Sequence, residues 1–257
     1  GIIPVDFAGL PINMEEFKDL ADLHNLWIIE DACHAPGGYF MDSNGQKNFC
    51  GNGKYADIGV FSFHPVKHIA CGEGGMVTTN SKDLYDKLML LRTHGISKEN
   101  MEENHGGWYY EMKALGYNYR LTDFQSALGM TQLSKNEKSV KTRNKIASVY
   151  KNAFKGLIKF QDLPHNLYNA HHLFIIEVEN RKKLYDYLRS NNIFSQIHYI
   201  PIHLLPYYKN IGYEGANLIN SENYYANCLS LPMYPTLTLE EQSFVIKKVI
   251  KFISNGE

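Results

Sequence analysis

Two residues with complementary chemistry each lie at or just beyond the end of a predicted strand. Asp31 ends the apolar run LWIIED, residues 26–31, and Lys67 lies five residues after Ser62 of the strand-like run DIGVFSF, residues 57–63. An amine becomes a nucleophile toward carbonyl compounds when partial burial and neighbouring groups lower its pKa. A carboxylate beside a pyridine nitrogen keeps that ring protonated and able to draw electrons from a reacting carbon. Lys67 and Asp31 together therefore offer the two groups that pyridoxal phosphate (PLP) chemistry requires.

Each of the two residues has a plainer interpretation when it is taken alone. Lys67 fits an exposed surface lysine, because most lysines remain in water. Asp31 fits a helix cap or a solvated carboxylate. Ligands of open α/β sheets collect at the carboxyl ends of strands, so the combination of the two residues favours the cofactor hypothesis.

Two other motifs in the same region suggest chemistry that we do not expect. His64 and His68 are four residues apart, but Pro65 disfavours a helix that would present both on one face to a metal ion. The glycine-rich turn CGEGG, residues 71–75, lacks the Lys and Ser or Thr of a phosphate-binding P-loop. We therefore predict no metal site, and a turn that leads into the next strand.

The elements around these residues alternate between strand and helix patterns, which is typical of an α/β fold. The predicted strands cover residues 2–7, 26–31, 57–63 and 75–80. The predicted helices, each with an N-terminal cap, are Met14–His24 with Asn13 and Glu16, residues 83–94 with Ser81, and a long helix from residue 123 with Thr122 and Gln125. Residues 41–54 and 95–120 are predicted as polar connections. The order strand, helix, strand at the start predicts a parallel βαβ unit.

The pattern changes near residue 152, where a second and smaller domain is predicted. It alternates helix and strand around HLFIIEVE, KKLYDYLRSNN and FSQIHYI, and it closes with a helix capped by Thr238. We therefore predict a large domain over residues 1–151 and a small α+β domain over residues 152–257.

Composition restricts the partners and the location of the protein. With 26 basic and 27 acidic residues, the chain has no excess positive charge for nucleic acid or for an anionic membrane surface. No apolar run has the length that a bilayer requires. The four cysteines are widely separated, which is typical of reduced thiols, and we expect a cytoplasmic protein.

Three ordered motifs resemble those of the DegT/DnrJ/StrS-type sugar aminotransferases. They are EDACHA at 30–35, SFHPVKHIACGEGG at 62–75 and LGYNYRLTDFQSALG at 115–129. The resemblance extends through the small domain, in the segments QIHYIPIHLLPYY and SLPMYPTLTLEE. The resemblance implies an aspartate-aminotransferase-like fold (fold type I), with a mixed, mostly parallel sheet and PLP as cofactor.

The resemblance also implies a role for individual residues. Lys67 corresponds to the lysine that carries PLP, and Asp31 to the partner of the pyridine nitrogen. His34 falls near the ring's phenolic oxygen, Ser62 at the phosphate, and Asn118 at the phosphate of a neighbouring subunit. The small-domain loop places His198, Tyr199 and His203 near the substrate. Read without the resemblance, His34 fits a strand-end histidine, Ser62 a turn residue and Asn118 a turn cap.

The motif at 62–75 is most similar to the branch of the family that acts in pseudaminic acid biosynthesis. That similarity implies transamination of a UDP-linked 4-keto-6-deoxy N-acetylhexosamine, with glutamate as amino donor, for surface glycans or flagellin sugars. It also implies a homodimer with shared active sites. A PLP-dependent sugar dehydratase is an alternative, but that branch has a histidine where Lys67 stands.

The family's sequences carry a further N-terminal portion ahead of the strand that corresponds to residues 2–7. This portion supplies the first strands and a helix N-terminus that binds the cofactor phosphate. We therefore expect the 257-residue chain to bind PLP weakly and to show little activity. A catalytically silent chain that only dimerises or binds a partner is a third hypothesis.

Overall fold

The computed structural model describes residues 1–103, 105–161, 164–213 and 217–255. The chain forms two compact units. The first comprises Gly1–Phe7 and Pro11–Asn136, and the second comprises Ala8–Leu10 and Glu137–Glu257. The domain boundary between residues 151 and 152 stays a prediction, and it falls within a helix of the second unit.

In its described residues, the first unit contains three helices and seven short strands. The helices are α1 (Met14–His24), α2 (Lys82–Leu91) and α3 (Asp123–Leu133). The strands are β1 (Ile29–Asp31), β2 (Tyr39–Met41), β3 (Lys47–Phe49), β4 (Ile58–Ser62), β5 (Gly75–Thr78), β6 (Ile96–Ser97) and β7 (Glu111–Met112).

The sheet that positions the candidate site has the order β1-β4-β5. β1 and β4 are parallel, with Asp31 opposite Val60, whereas β4 and β5 are antiparallel, with Ser62 opposite Gly75. The predicted parallel βαβ unit is confirmed. Ile2 and Val5, which precede α1 in the chain, form parallel bridges to Ile28 and Asp31, which follow it.

Residues 2–7 were expected to form a regular strand, and this prediction is wrong in detail. The segment makes isolated bridges and then enters a 3₁₀ turn at Phe7–Gly9. Pro4 accounts for the interruption, because it has no N–H to donate to the neighbouring strand, although its carbonyl accepts from Asp31 N at 2.9 Å. The pairing of residues 2–7 with the β1 segment is therefore discontinuous, but this segment still hydrogen-bonds to the backbone of Asp31.

The predicted bounds of α1 are confirmed, but its cap differs from the predicted one. The Asn13 side chain accepts a hydrogen bond from Glu15 N at 3.3 Å, and its amide donates to the Glu16 carboxylate at 2.8 Å. A capping box would also need the Glu16 side chain to accept from the backbone N–H of Asn13, and that bond is not part of this arrangement. Asn13 is therefore a simple N-cap. Asn25, in the left-handed conformation, ends the helix.

Residues 41–54 were predicted as a polar connection, whereas the structure contains the β2–β3 hairpin there. Gly45, at φ 71°, closes the turn, and the Asp42 carboxylate accepts from the backbone N–H groups of Asn44 and Gln46. The strands are only three residues long, and the side-chain hydrogen bonds of Asp42 stabilise the turn between them.

The caps of the other two helices follow the prediction. Ser81 Oγ accepts from Leu84 N at 3.3 Å, and Thr122 with Gln125 forms a capping box at the start of α3. The long helix predicted from residue 123 is divided, because α3 ends at Leu133 and a new helix starts at Asn136.

The second unit packs helices against a three-stranded antiparallel sheet. Its helices are α4 (Asn136–Phe154), α5 (Arg181–Ser190), α6 (Pro206–Tyr208), α7 (Ile219–Asn227) and α8 (Leu239–Ser254). Its strands are β8 (Lys159–Phe160), β9 (Leu167–Tyr168), β10 (Phe174–Glu177) and β11 (Cys228–Leu231), and the sheet order is β11-β10-β8. The fully buried side chains at its centre include Tyr150, Phe154, Ile176, Leu184, Leu188, Leu229 and Val249.

Two features of the second unit bear on the predicted substrate loop. FSQIHYI does not form a regular strand, and only Gln196 bridges to Ser230 of β11. Pro201 then begins a 3₁₀ turn at Ile202–Leu204. Along the described residues, no helix combines the length and apolar character that crossing a bilayer would need.

Candidate active site

The parallel pairing of β1 with β4 brings the candidate residues to one edge of the sheet. Asp31 is the last residue of β1, and Ser62 is the last residue of β4. Since the two strands run in the same direction, their carboxyl ends lie side by side. The chain after Ser62 folds back to β5 through hydrogen bonds from Phe63 N to Gly74 O at 2.8 Å and from Cys71 N to Phe63 O at 3.0 Å. Lys67 lies within this loop.

Lys67 is half-buried and interacts electrostatically with Asp31. Burial lowers the pKa of the Lys67 ammonium, and the nearby Cys33 and Asp31 act in the opposite direction. A lowered pKa increases the fraction of neutral amine, which is the nucleophilic form. The structure thus places the amine and the carboxylate in one site, as the sequence motifs suggested.

Cys33 is a member of this site that the sequence reasoning did not identify. Its backbone N–H donates to Asp31 Oδ1 at 3.1 Å. Burial, followed by the hydrogen bond and charge of Asp31, raises the pKa of the Cys33 thiol to about 12. The thiol is therefore neutral at physiological pH. The signal in the sequence was its position two residues after Asp31.

His34 lies in the turn that follows β1 and is buried. Its ring centroid is 6.1 Å from that of Phe7. Successive turns, with Ala35 N donating to Ala32 O and Gly38 N to Ala35 O at 2.9 Å each, fix the backbone on either side of it. His34 is therefore at the same edge of the sheet as Asp31.

Asn118 is exposed, and its position is fixed by its neighbours. It bridges to Thr93 beyond the end of α2, and Arg120 Nε donates to Asn118 Oδ1 at 3.2 Å. Farther along the chain, Gln125 Nε2 donates to Glu73 O at 2.9 Å, which joins the start of α3 to the glycine-rich turn. The motif that contains Asn118 is thus tied to the loop that contains Lys67.

The candidate substrate residues of the second unit lie together in one loop. His198 Nδ1 is 2.8 Å from Ser230 Oγ, and His203 Nε2 is 2.8 Å from Glu222 Oε1. Tyr199 and His203 line a groove of about 770 Å³, together with Tyr208, Tyr213, Asn220, Ser221 and Tyr224 among others. An aromatic wall with hydroxyl and amide groups suits a ring-shaped polar ligand.

The donor set of the first unit fits PLP. A half-buried amine can bond the aldehyde carbon, a strand-end carboxylate can pair with the pyridine nitrogen, and a hydroxyl at the next strand end can reach an anionic group. His64 and His68 do not share this arrangement, because His64 is exposed, 3.8 Å from Glu73, and His68 is buried.

The chain matches a known enzyme family over most of its length. A profile of the DegT/DnrJ/EryC1/StrS aminotransferase family matches residues 1–250. A UDP-4-amino-4,6-dideoxy-N-acetyl-beta-L-altrosamine transaminase of Campylobacter jejuni is 36% identical in an alignment of 251 positions, which covers 94% of this chain and 62% of that protein.

Two solved structures share the fold. The Helicobacter pylori aminotransferase PseC, involved in the biosynthesis of pseudoaminic acid, has a TM-score of 0.86 and 31% identity, over 99% of this chain and 67% of that one. The PLP form of a putative sugar aminotransferase from Streptococcus pneumoniae has a TM-score of 0.84 and 27% identity, over 99% and 68%.

The chain spans about two thirds of the length of these relatives. Its two units have the fold type I architecture of PLP enzymes. Since the profile match extends over nearly the entire sequence, the chain belongs to the DegT/DnrJ/EryC1/StrS aminotransferase family of PLP-dependent enzymes.

Proposed function

We propose that the protein transfers an amino group to a nucleotide-linked 4-keto-6-deoxy sugar, a UDP-linked N-acetylhexosamine, from glutamate. The observation that carries this proposal is that half-buried Lys67, in the loop after β4, senses the charge of Asp31 at the end of the neighbouring strand β1. The name of the Campylobacter relative supports the sugar class. We place the reaction in the biosynthesis of surface glycans or flagellin sugars, including pseudaminic acid, in the cytoplasm.

PLP, when bound, supplies an aldehyde and a protonated ring that withdraws electrons from the carbon bonded to nitrogen. The chain's own residues supply the remaining functions. The Asp31 carboxylate accepts a hydrogen bond from the ring nitrogen and keeps it protonated. The neutral Nζ of Lys67 accepts the proton from the donor's α-carbon and later delivers a proton to the sugar carbon that becomes aminated.

The other candidate residues bind and orient. Ser62 would hold the phosphate of PLP, His34 would bind at its phenolic oxygen, and Asn118 would bind the phosphate in the partner subunit of a homodimer. In the second unit, the groove with Tyr199 and His203 accepts part of the sugar nucleotide, and His198 orients the loop through its hydrogen bond with Ser230.

Two other functions compete with this proposal. A sugar dehydratase of the same family is disfavoured, because Lys67 stands where that branch has histidine. A chain that only dimerises would keep the fold and would not form a covalent bond with PLP. Covalent binding of PLP therefore distinguishes the aminotransferase from the silent chain.

The test is a titration of the purified protein with PLP. We expect a visible absorbance from the lysine-bound cofactor, a product fixed by borohydride that peptide mapping locates at Lys67, and a shift to the pyridoxamine spectrum on addition of glutamate. Conversion of the UDP-4-keto sugar to its amino form should follow in the protein extended by the family's N-terminal portion, and the 257-residue chain alone should convert it much more slowly. Absence of any borohydride-fixed product at saturating PLP would contradict the proposal and favour the silent chain.

A further inference from the structure

Behind the candidate site lies a cluster of three buried groups that the proposed mechanism does not use. Asp6 is 0% exposed, Glu30 3% and Cys50 6%, and their side-chain oxygen and sulfur atoms lie within 4.8 Å of one another. All three belong to the first unit. Two carboxyl groups so close together in a buried setting cannot both ionise without a large cost.

The cluster is built on the strand that carries Asp31. Glu30 immediately precedes Asp31 in β1, so their side chains point to opposite faces of the sheet. Asp6 N donates to Asp31 O at 3.0 Å, and Asp31 N donates to Pro4 O at 2.9 Å. Asp6 therefore binds the Asp31 carbonyl through its backbone N–H and places its side chain against Glu30.

The polar groups that face the cluster are few. Ile12 N donates to Asp6 Oδ1 at 3.0 Å, and the backbone N–H of Gly51 donates to Glu30. The Cys50 thiol, whose pKa burial raises, is the third titratable group of the cluster. Within the described part of the chain, no basic side chain is among the causes that shift these carboxyls.

The acid strengths agree with this environment. Burial, followed by the charge of Glu30, raises the pKa of Asp6 to about 8, and burial also raises the pKa of Glu30. Asp42, another buried carboxylate of this unit, provides the contrast. It accepts from Lys54, Asn48 and Tyr55, and the bond from Lys54 holds its pKa well below the usual range.

We propose that Asp6 and Glu30 share one proton, with neutral Cys50 beside them, and that this protonated pair positions the strand segment that presents Asp31 to the cofactor. The clause about the cofactor rests on the proposed function, whereas the shared proton does not. Asp6 and Glu30 are thus positioning residues. When the proton is lost, the repulsion between two carboxylates acts directly on the backbone of Asp31.

The direction of the pH effect follows from the pKa of Asp6. The folded state holds this proton up to about pH 8, whereas an unfolded Asp releases it near pH 4. The stabilisation is therefore complete below about pH 4 and is lost as the pH rises to about 8. Across this window, the proton changes the unfolding equilibrium constant about tenfold per pH unit.

The test compares urea unfolding of the wild-type protein and of Asp6→Asn between pH 5.5 and 8.5. Asn mimics the protonated carboxyl, so the variant should lose the contribution of one proton to the pH slope and gain relative stability at high pH. Asp19→Asn, on the exposed face of α1, should keep the wild-type slope. Glu30→Gln provides a second variant with the same expectation if Asp6→Asn fails to fold.

A further readout addresses positioning. The PLP dissociation constant of the wild-type protein should increase from pH 6 to pH 8.5 by a larger factor than that of Asp6→Asn, because only the wild-type pair deprotonates. Equal pH slopes of unfolding in all folded variants would overturn the shared proton. Stabilisation of the wild type by Zn²⁺ or Mn²⁺, absent in Asp6→Asn, would also overturn it, since a cation would then fill the cluster.

These outcomes separate this proposal from the proposed function. If the protein binds no PLP and the unfolding slopes differ as expected, the shared proton stands and the role of Asp31 at the cofactor fails. If PLP binds and its dissociation constants for the wild type and for Asp6→Asn change with pH by the same factor, Asp6 and Glu30 do not position the site.

Discussion

At the scale of single residues, the environment of Lys67 distinguishes it from the other lysines. It is half-buried and its pKa is lowered, whereas Lys82, Lys113 and Lys141 form exposed or surface ion pairs that raise their pKa values. Since a surface ion pair keeps an amine protonated, such lysines are poor nucleophiles. Desolvation therefore supports our proposal that Lys67 is the reactive amine.

We expect Lys67→Arg to abolish the visible absorbance of lysine-bound PLP and to lower transamination by at least about a hundredfold. The guanidinium stays charged and cannot form the covalent bond, and a positioned general base contributes about 10² to 10⁴ to a rate. Absorbance titration and single-turnover kinetics with glutamate measure both effects. Lys87→Arg, at an exposed position of α2, is the matched control. Retention of activity within about tenfold of the wild type would refute the role of Lys67.

We expect Asp31→Asn to retain bound PLP but to slow the conversion with glutamate by about a hundredfold or more, the size of effect seen when one electrostatic partner is removed. The amide still accepts from Cys33 N, so the local backbone is preserved, but it no longer keeps the ring nitrogen protonated. Stopped-flow absorbance checks the rate, with exposed Asp83→Asn as control. An unchanged rate would assign the pyridine contact to another residue.

At the scale of elements, side-chain caps define where the helices begin. Thr238 Oγ accepts from Glu241 N at 3.1 Å, and Glu241 accepts from Thr238 N at 2.9 Å, which starts α8. This helix buries Val245, Val249 and Phe252 in the core of the second unit. Its start therefore affects the stability of the core as well as its own.

Thr238→Ala should lower the free energy of unfolding of the protein by about 1 kcal/mol, because it leaves backbone donors of the first turn without their side-chain acceptor. Urea unfolding followed by circular dichroism measures the change. Thr236→Ala, two residues earlier and exposed, should have a much smaller effect. Equal losses in both variants would show that the cap does not contribute.

At the scale of the whole molecule, the proposed homodimer makes Asn118 a residue of the partner's site. Its exposed side chain, oriented by Arg120, is consistent with that role. In the protein extended by the family's N-terminal portion, Asn118→Ala and Lys67→Ala, each inactive alone, should recover about a quarter of wild-type activity when they are refolded together in equal amounts. Half of the dimers are then mixed, and in each of these one site collects both substitutions and the other none.

Recovery should appear only after subunits exchange, so mixing the folded variants without refolding is the control. Differently labelled variants and size-exclusion chromatography can verify that mixed dimers have formed. If activity does not recover in mixed dimers, Asn118 serves its own subunit.

The sequence by itself determined the features that depend on near neighbours along the chain. The bounds of α1, the caps at Ser81, Thr122 and Thr238, and the parallel relation of the first segment to β1 follow from local patterns. Asp31 and Ser62 were placed at strand ends for the same reason, because strand patterns and turn residues are read over a few positions.

Only the tertiary structure decided the features that depend on burial and on distance through space. Asp6 and Glu30 are 24 positions apart in the sequence, and Cys50 is 20 further on, so their common buried cluster has no local signal. The electrostatic influence of Cys33 and Asp31 on Lys67 likewise depends on how β4 pairs with β1. A pKa is set by desolvation and by charges across such contacts, and these exist only once the chain has folded.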